Sequence, residues 1–176
     1  MVVFDSSMLL YLLQEEAGVV LHPVTGAPVP NVKGKVEHLI RNLQASRERI
    51  VIPTPVLAEI LVISGPRAGE TYELLAASMN FGFAAFDVRA AIEVAVQTSN
   101  AIQAGGKKGS ASGSWAKVKY DRQIVAIAKV ERASAIYSND RDVAGFGEQE
   151  GIKVVAAWDL PDPPAAQSDL FTNSYP

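Results

Sequence analysis

The amino-acid sequence predicts an α/β fold in which a largely parallel, five-stranded sheet is covered by helices. Five short apolar runs, at 2–4, 50–52, 82–85, 135–138 and 152–156, alternate with longer stretches whose apolar residues recur at helical spacing. Asp, Ser, Thr, Gly and Pro stand at the junctions, where caps and turns need them.

Val2, Val3 and Phe4 form the first strand, which ends at Asp5; Ser6 or Ser7 then caps a helix with Leu9, Leu10, Leu12 and Leu13 among its apolar positions. The segment 18–34, with three prolines and three glycines, is a loop or extended insertion. A helix over 35–45 follows, with Leu39, Ile40 and Leu43 at core-facing spacing. Pro53 closes the second strand, and Thr54 with Pro55 supplies a cap and first turn for the helix VLAEILVIS, which Gly65-Pro66 ends. A further helix covers 67–79, the third strand lies at 82–85, and Asp87 caps a helix running to about Ala104. After a Gly/Ser segment, 105–114, a helix over 120–133 carries apolar residues at 124, 125, 127, 128 and 130. The fourth strand, a short helical turn after Asp140 and the fifth strand complete one domain, 1–158, with its Pro/Gly-rich insertion at 18–34 and a Gly/Lys/Ser loop at 104–116. The Pro-rich tail, 159–176, is expected to be extended or poorly ordered.

Composition narrows the function. With 176 residues, 48% of them hydrophobic, the chain can bury one good core but not two. It has no cysteine, so a metal site must use oxygen ligands or one of two histidines, His22 and His38, and neither of these has a metal-ligand spacing. The opening MVVFDSSMLLYLLQEE lacks a basic leader and carries Asp5 within its apolar stretch, so it reads as structure rather than as a secretory signal. No apolar run approaches the roughly 20 residues of a membrane helix, and the expectation is a soluble, cytoplasmic protein without membrane partners. A net charge of −3 argues against a wholly basic surface, yet 107–129 carries a local charge of +5 around Trp115: Lys107, Lys108, Lys117, Lys119, Arg122 and Lys129 against Asp121.

The acidic residues carry the chemistry. Asp5 and Asp140 both follow strands, at the carboxyl edge where open parallel sheets gather ligands. Taken singly, either reads first as the N-cap of the next helix. Glu59 has Pro55, Val56, Val62 and Ile63 as its helical neighbours and no local Lys or Arg, so it either points at a cation or reaches water from the margin of an apolar face. Asp121 opens the helix DRQIVAIAKV as a dipole partner, a cap or a ligand. If these carboxylates converged at ~5 Å, each pair would repel by roughly 3 kcal/mol at an effective dielectric near 20, and the set would require a cation. An oxygen-only donor set suits Mg2+ or Mn2+. Such a site supports phosphodiester hydrolysis, with a metal-polarised water attacking in line and the cation neutralising charge on the phosphorus oxygens.

Four blocks, VVFDSSMLLYLL, TPVLAEILVIS, YDRQIVAIA and YSNDRDVAGF, follow one another between residues 2 and 146. In this order they resemble the PIN-domain ribonucleases, and among them the VapC-like toxins of type II toxin–antitoxin pairs. YDRQIVAIA stands in place of the family's more usual Asp-Ala-Leu-Ile-Ala-Ala, and SNDRDVAGF resembles its Thr-x-Asp-x-Asp-Phe segment. The resemblance implies a three-layer α/β/α sandwich, Mg2+ or Mn2+ as cofactor, RNA as substrate, a cognate antitoxin as partner and a homodimer. It carries over Asp5, Glu59, Asp121 and Asp140 as the catalytic acidic set, with Asp5, Asp121 and Asp140 as metal ligands. Ser6, after the first acid, and Ser138, in the place of the usual Thr, orient a carboxylate or water. Asp142, one step further into the turn, is read as support at a helix N-terminus rather than as a ligand.

The basic run supports RNA as substrate: Lys107, Lys108, Lys117 and Lys119 are placed to hold phosphates, Arg122 flanks Asp121, and Trp115 is placed to stack on a base. The same run also reads as a solvated loop. The insertion at 18–34 and the extended loop before Asp121 depart from the family pattern, which leaves a PIN nuclease without an antitoxin as an alternative. A further rival is a PIN-like module that docks RNA or protein without cutting. A receiver-like domain with Asp5 as phosphoacceptor is disfavoured, because no Asp-x-Asp follows the first strand.

Overall fold

The computed structural model describes residues 1–14 and 18–164. The elements run β1 (Val2–Phe4), α1 (Ser6–Leu13), α2 (Val32–Ala45), β2 (Ile50–Pro53), α3 (Thr54–Ser64), α4 (Ala68–Ala77), β3 (Phe81–Ala84), α5 (Val88–Gln103), α6 (Trp115–Val130), β4 (Ala135–Tyr137), α7 (Arg141–Gln149) and β5 (Lys153–Val155), with 3-10 turns at Gly65–Arg67 and Ala157–Asp159. All four strand pairings are parallel, and the spatial order is β3-β2-β1-β4-β5. In the register, Val3 of β1 lies between Val51 of β2 and Ile136 of β4. This is the α/β sandwich with a five-stranded sheet that the strand–helix alternation predicts, and every pairing is parallel rather than most of them.

Of the three central strands, β1 and β2 are buried along their length and β4 at Ala135 and Ile136, which is why they read as unbroken apolar runs and not as alternating ones. Val36, Ile40 and Leu43 of α2, Val56 and Ile60 of α3, and Ile124 to Ala128 of α6 bring the helical layers onto the same core. From β1 the chain moves one way to β2 and β3, then crosses back to β4 and β5. Right-handed crossovers place the helices of the two directions on opposite faces, so a crevice opens where the order reverses, beyond the carboxyl ends of β1 and β4. Asp5 and Asp140 stand at those two ends.

Several boundaries differ from the sequence reading, each for a local reason. Asp5, rather than Ser6 or Ser7, is the N-cap of α1, because its carboxylate accepts from Ser6 N at 2.6 Å. Thr54 is not a side-chain cap; its hydroxyl accepts from Phe86 N at 3.0 Å and so ties α3 to the end of β3. Helix α2 begins at Val32, inside the proposed insertion, whose remainder is pinned by a bridge between Leu21 and Pro28. Helix α6 begins at Trp115 and not near Tyr120, since Ser114 Oγ accepts from Lys117 N and caps it. The turn after Asp140 is a nine-residue helix, α7, which reaches further than a turn because Val143 and Phe146 give it a buried face. Packing continues past residue 158: Leu160 is buried, and Lys35 Nζ donates to its carbonyl at 3.0 Å and pairs with Asp162 at 3.2 Å. Of the expected tail, 165–176 lies outside the described residues.

Candidate functional site

The crevice at the switch point is a cleft of ≈ 640 Å3 whose lining includes Asp5, Glu59, Lys117, Asp121 and Asp140. One wall is apolar, formed by Val62 and Ile63 of α3 with Tyr120 and Ile124 of α6. All four acids expected from the sequence therefore reach one cavity, from four different elements.

Asp5 sits deepest. Its Oδ2 accepts from Ser138 Oγ at 2.6 Å, and its Oδ1 accepts from the backbone and hydroxyl of Ser6 at 2.6 and 3.2 Å. Burial pushes its carboxyl above the usual range; the Ser138 and Ser6 donors pull it back, and the charge of Glu59 raises it again. Ser138 also accepts from Asp140 N at 3.0 Å, so one hydroxyl couples the ends of β1 and β4. Asn139, which the sequence reading did not single out, completes this join: it donates from its backbone to Ser7 Oγ at 3.0 Å and accepts from Ala157 N at 2.8 Å. Asn after a strand is common in turns, and nothing in the sequence distinguishes this one.

Asp140 uses its oxygens separately. Oδ1 caps α7 by accepting from Asp142 N at 2.7 Å and Val143 N at 3.4 Å. Oδ2 faces Lys117 Nζ at 2.7 Å. Because α6 starts early, Asp121 lies two turns inside it rather than at its start, and Lys117 sits one turn before Asp121 on the same face. Lys117 Nζ contacts Asp121 Oδ2 at 2.7 Å and Asp142 Oδ2 at 3.4 Å. Burial raises the Asp121 carboxyl to about 6, against the Lys117 hydrogen bond and with added repulsion from Asp140 and Asp142. Burial lowers the Lys117 ammonium, but hydrogen bonds and charge from Asp121 and Asp140 outweigh it and hold the group above its ordinary range.

Asp121, Asp140 and Asp142 each offer one oxygen within 4.8 Å of the other two. The trio thus contains Asp142 where the sequence reading has Asp5, because the Asp142 carboxylate reaches Lys117 Nζ from the first turn of α7. An all-oxygen donor set at this spacing fits a hard divalent cation. The Lys117 ammonium already stands as a positive charge at their common focus. Glu59 is exposed at the rim of the same cleft, so its carboxylate reaches water.

The basic residues divide. Arg122 is 1% exposed, and its guanidinium donates to Lys107 O at 2.7 Å and Thr98 Oγ1 at 3.0 Å while lying over Phe146. This is the environment of a structural clamp and not of a phosphate contact; a sequence does not distinguish the two, since both follow an acid on an amphipathic helix. Trp115 packs against the core with the Lys107 ammonium 4.8 Å and the Arg122 guanidinium 5.9 Å from its ring, which takes its face away from an incoming base. Lys108 donates to Gly113 O at 3.1 Å and braces the loop. Lys107 and Lys119 are exposed.

The chain has a PIN-like α/β fold, similar overall to that of solved VapC structures. One is the Rickettsia felis VapBC2 structure bound to a DNA fragment from its promoter, at 15% identity and a TM-score of 0.58, covering 89% of this chain and 98% of that one. Another is the DNA-bound VapBC of Salmonella typhimurium, at 17% identity and a TM-score of 0.54, covering 89% and 97%. A third is the sarcin-ricin loop cleaving toxin VapC20 of Mycobacterium tuberculosis, at 14% identity and a TM-score of 0.53, covering 84% and 95%. No family model and no curated sequence matches the chain.

Proposed function

We propose that this protein is a divalent-metal-dependent endoribonuclease, the toxin of a type II toxin–antitoxin pair. The observation that carries the reading is the convergence of Asp121, Asp140 and Asp142 within 4.8 Å, with Asp121 and Asp140 lining a cleft that Asp5 and Glu59 also line. The likeness in fold to VapC20, named as a toxin that cleaves the sarcin-ricin loop, supports RNA as the substrate class, and the VapBC structures support an antitoxin partner.

In this reading Asp121, Asp140 and Asp142 hold Mg2+ or Mn2+, while Asp5, fixed by Ser6 and Ser138, and Glu59 at the rim orient water and the incoming phosphodiester. The bound cation supplies Lewis-acid activation of water and neutralises charge on the phosphoryl oxygens. Hydrolysis joins the water oxygen to phosphorus and breaks the bond to a ribose oxygen, which leaves with a proton. Lys119 and Lys107 are the exposed cations left to contact flanking phosphates. Tyr120, 49% exposed on the apolar wall and adjacent to Asp121, replaces Trp115 as the surface on which a base stacks. The exposed stripe of Val88, Ile92 and Val96 on α5 is the face for a homodimer.

The test is cleavage of structured and single-stranded RNAs by the purified chain with Mg2+ or Mn2+. Cleavage is expected, with loss in EDTA and in Asp121→Asn and Asp140→Asn. Affinity for RNA without cleavage under any divalent condition would favour the rival reading, a module that docks RNA without cutting. That rival has one specific observation in its favour, the ammonium of Lys117 already neutralising the acids. Cleavage by a chain that binds no antitoxin would leave a PIN nuclease outside a toxin pair.

A further inference from the structure

Lys117 stands where the proposed cation must go. Its Nζ lies 2.7 Å from Asp121 Oδ2, 2.7 Å from Asp140 Oδ2 and 3.4 Å from Asp142 Oδ2, the three residues whose oxygens converge. Divalent cations bind carboxylate oxygens at ~2.0–2.6 Å, so an ammonium and a metal ion cannot share that focus. An ammonium left a few ångströms away would still weaken the metal's hold, because the two positive charges repel.

We infer that Lys117 is a resident counter-cation that holds the acidic site together without metal, and that a divalent ion binds only by displacing it, so that Lys117 sets the metal affinity of the site. This rests on the metal-dependent reading above. Two features make displacement feasible. The Lys117 side chain is 42% exposed, so its ammonium has a route to solvent. It also sits one turn before Asp121 on α6, so a change of side-chain rotamer suffices and the helix need not move. Gly113 closes the other side: a Cβ there would lie 3.0 Å from Lys117 Cδ and 3.2 Å from Asp142 Oδ2, so the loop before α6 backs the lysine against the acids.

Lys117 is thus a positioning residue whose effect is on binding equilibrium. Without it, three carboxylates face one another uncompensated, and the site gains more from a divalent ion than the wild type does, where the first cost of binding is the loss of the ammonium contacts. Charge is the agent, so Lys117→Met and Lys117→Arg separate the proposal from a packing role. Both keep a long side chain, and only the second keeps the charge.

The experiment is titration of metal-free full-length protein with Mn2+, read by calorimetry and by electron paramagnetic resonance of free Mn2+, alongside thermal unfolding in EDTA. Lys117→Met is expected to bind Mn2+ about tenfold more tightly than wild type, or better. It should also melt lower in EDTA and gain more from Mn2+. Lys117→Arg is expected within about twofold of wild type. Equal or weaker Mn2+ binding by Lys117→Met, with the wild type binding measurably, would overturn this inference and leave the metal site standing. Tighter binding by Lys117→Arg to the same degree as by Lys117→Met would also overturn it, since charge would not be the cause. If none of the three proteins binds Mn2+, the inference and the metal-dependent reading fall together.

Discussion

Asp140 shows what a single residue can carry: one oxygen caps α7, as the cap reading expects, and the other faces the Lys117 ammonium in the cleft. Asp121 leads to a pH prediction. Its folded value of about 6 lies above the ~3.9 of an exposed aspartate, so the native state binds this proton more tightly than the unfolded chain does. The ionised carboxylate therefore costs stability above about pH 6, and the cost fades as pH falls towards 4. A shift of this size corresponds to ~3 kcal/mol. In EDTA at pH 8, Asp121→Asn is expected to be more stable to urea than wild type by on the order of 2 kcal/mol, with the gain shrinking at pH 4.5. A variant less stable than wild type at pH 8 would contradict this. At this scale the acids were legible because each stands beside an element boundary or on an apolar face. The placing of Asp142 was not, since one residue of helical rotation decides whether a side chain faces Lys117 and the other acids or solvent.

At the scale of elements, α6 is the piece on which the site depends. The Ser114 cap starts it six residues before Asp121, which brings Lys117 onto the cleft face and turns Arg122 inward. The Arg122 guanidinium then ties the 105–114 loop to the helix pair α5 and α6 through Lys107 O and Thr98. Arg122→Ala is expected to cost about 3–5 kcal/mol of stability, because it leaves a cavity beside Phe146 and removes the donor to the Lys107 carbonyl and Thr98. Faster hydrogen exchange confined to the 105–114 loop should accompany it, and Arg122→Lys should not rescue, since an ammonium lacks the forked donor geometry. Unchanged stability in urea would show that the clamp contributes nothing. The start of α6 was hidden from the sequence because Gly and Ser precede Trp115 and three lysines or arginines follow it, a composition that reads as loop until the Ser114 cap is seen. The strands, in contrast, were legible to within a residue or so at each end; in β1 and β2, burial on both faces demands an unbroken apolar run.

At the scale of the molecule, the stripe of Val88, Ile92 and Val96 runs along the outside of α5 at four-residue spacing. A dimer is expected in solution by light scattering, and Ile92→Glu should give a folded monomer; a wild-type monomer at micromolar concentration would exclude this face as a stable interface. The sequence alone determined the order of strands and helices, the parallel sheet that follows from it, and a set of acids in a chain without cysteine. These are decided by local periodicity and by residue types, which are fully written in one dimension. Tertiary structure alone decided that Asp142 joins Asp121 and Asp140, that Arg122 and Trp115 face inward, and that Lys117 lies at the focus of the acids. Those outcomes depend on helix rotation and on how far apart elements meet, and packing of the whole chain sets both.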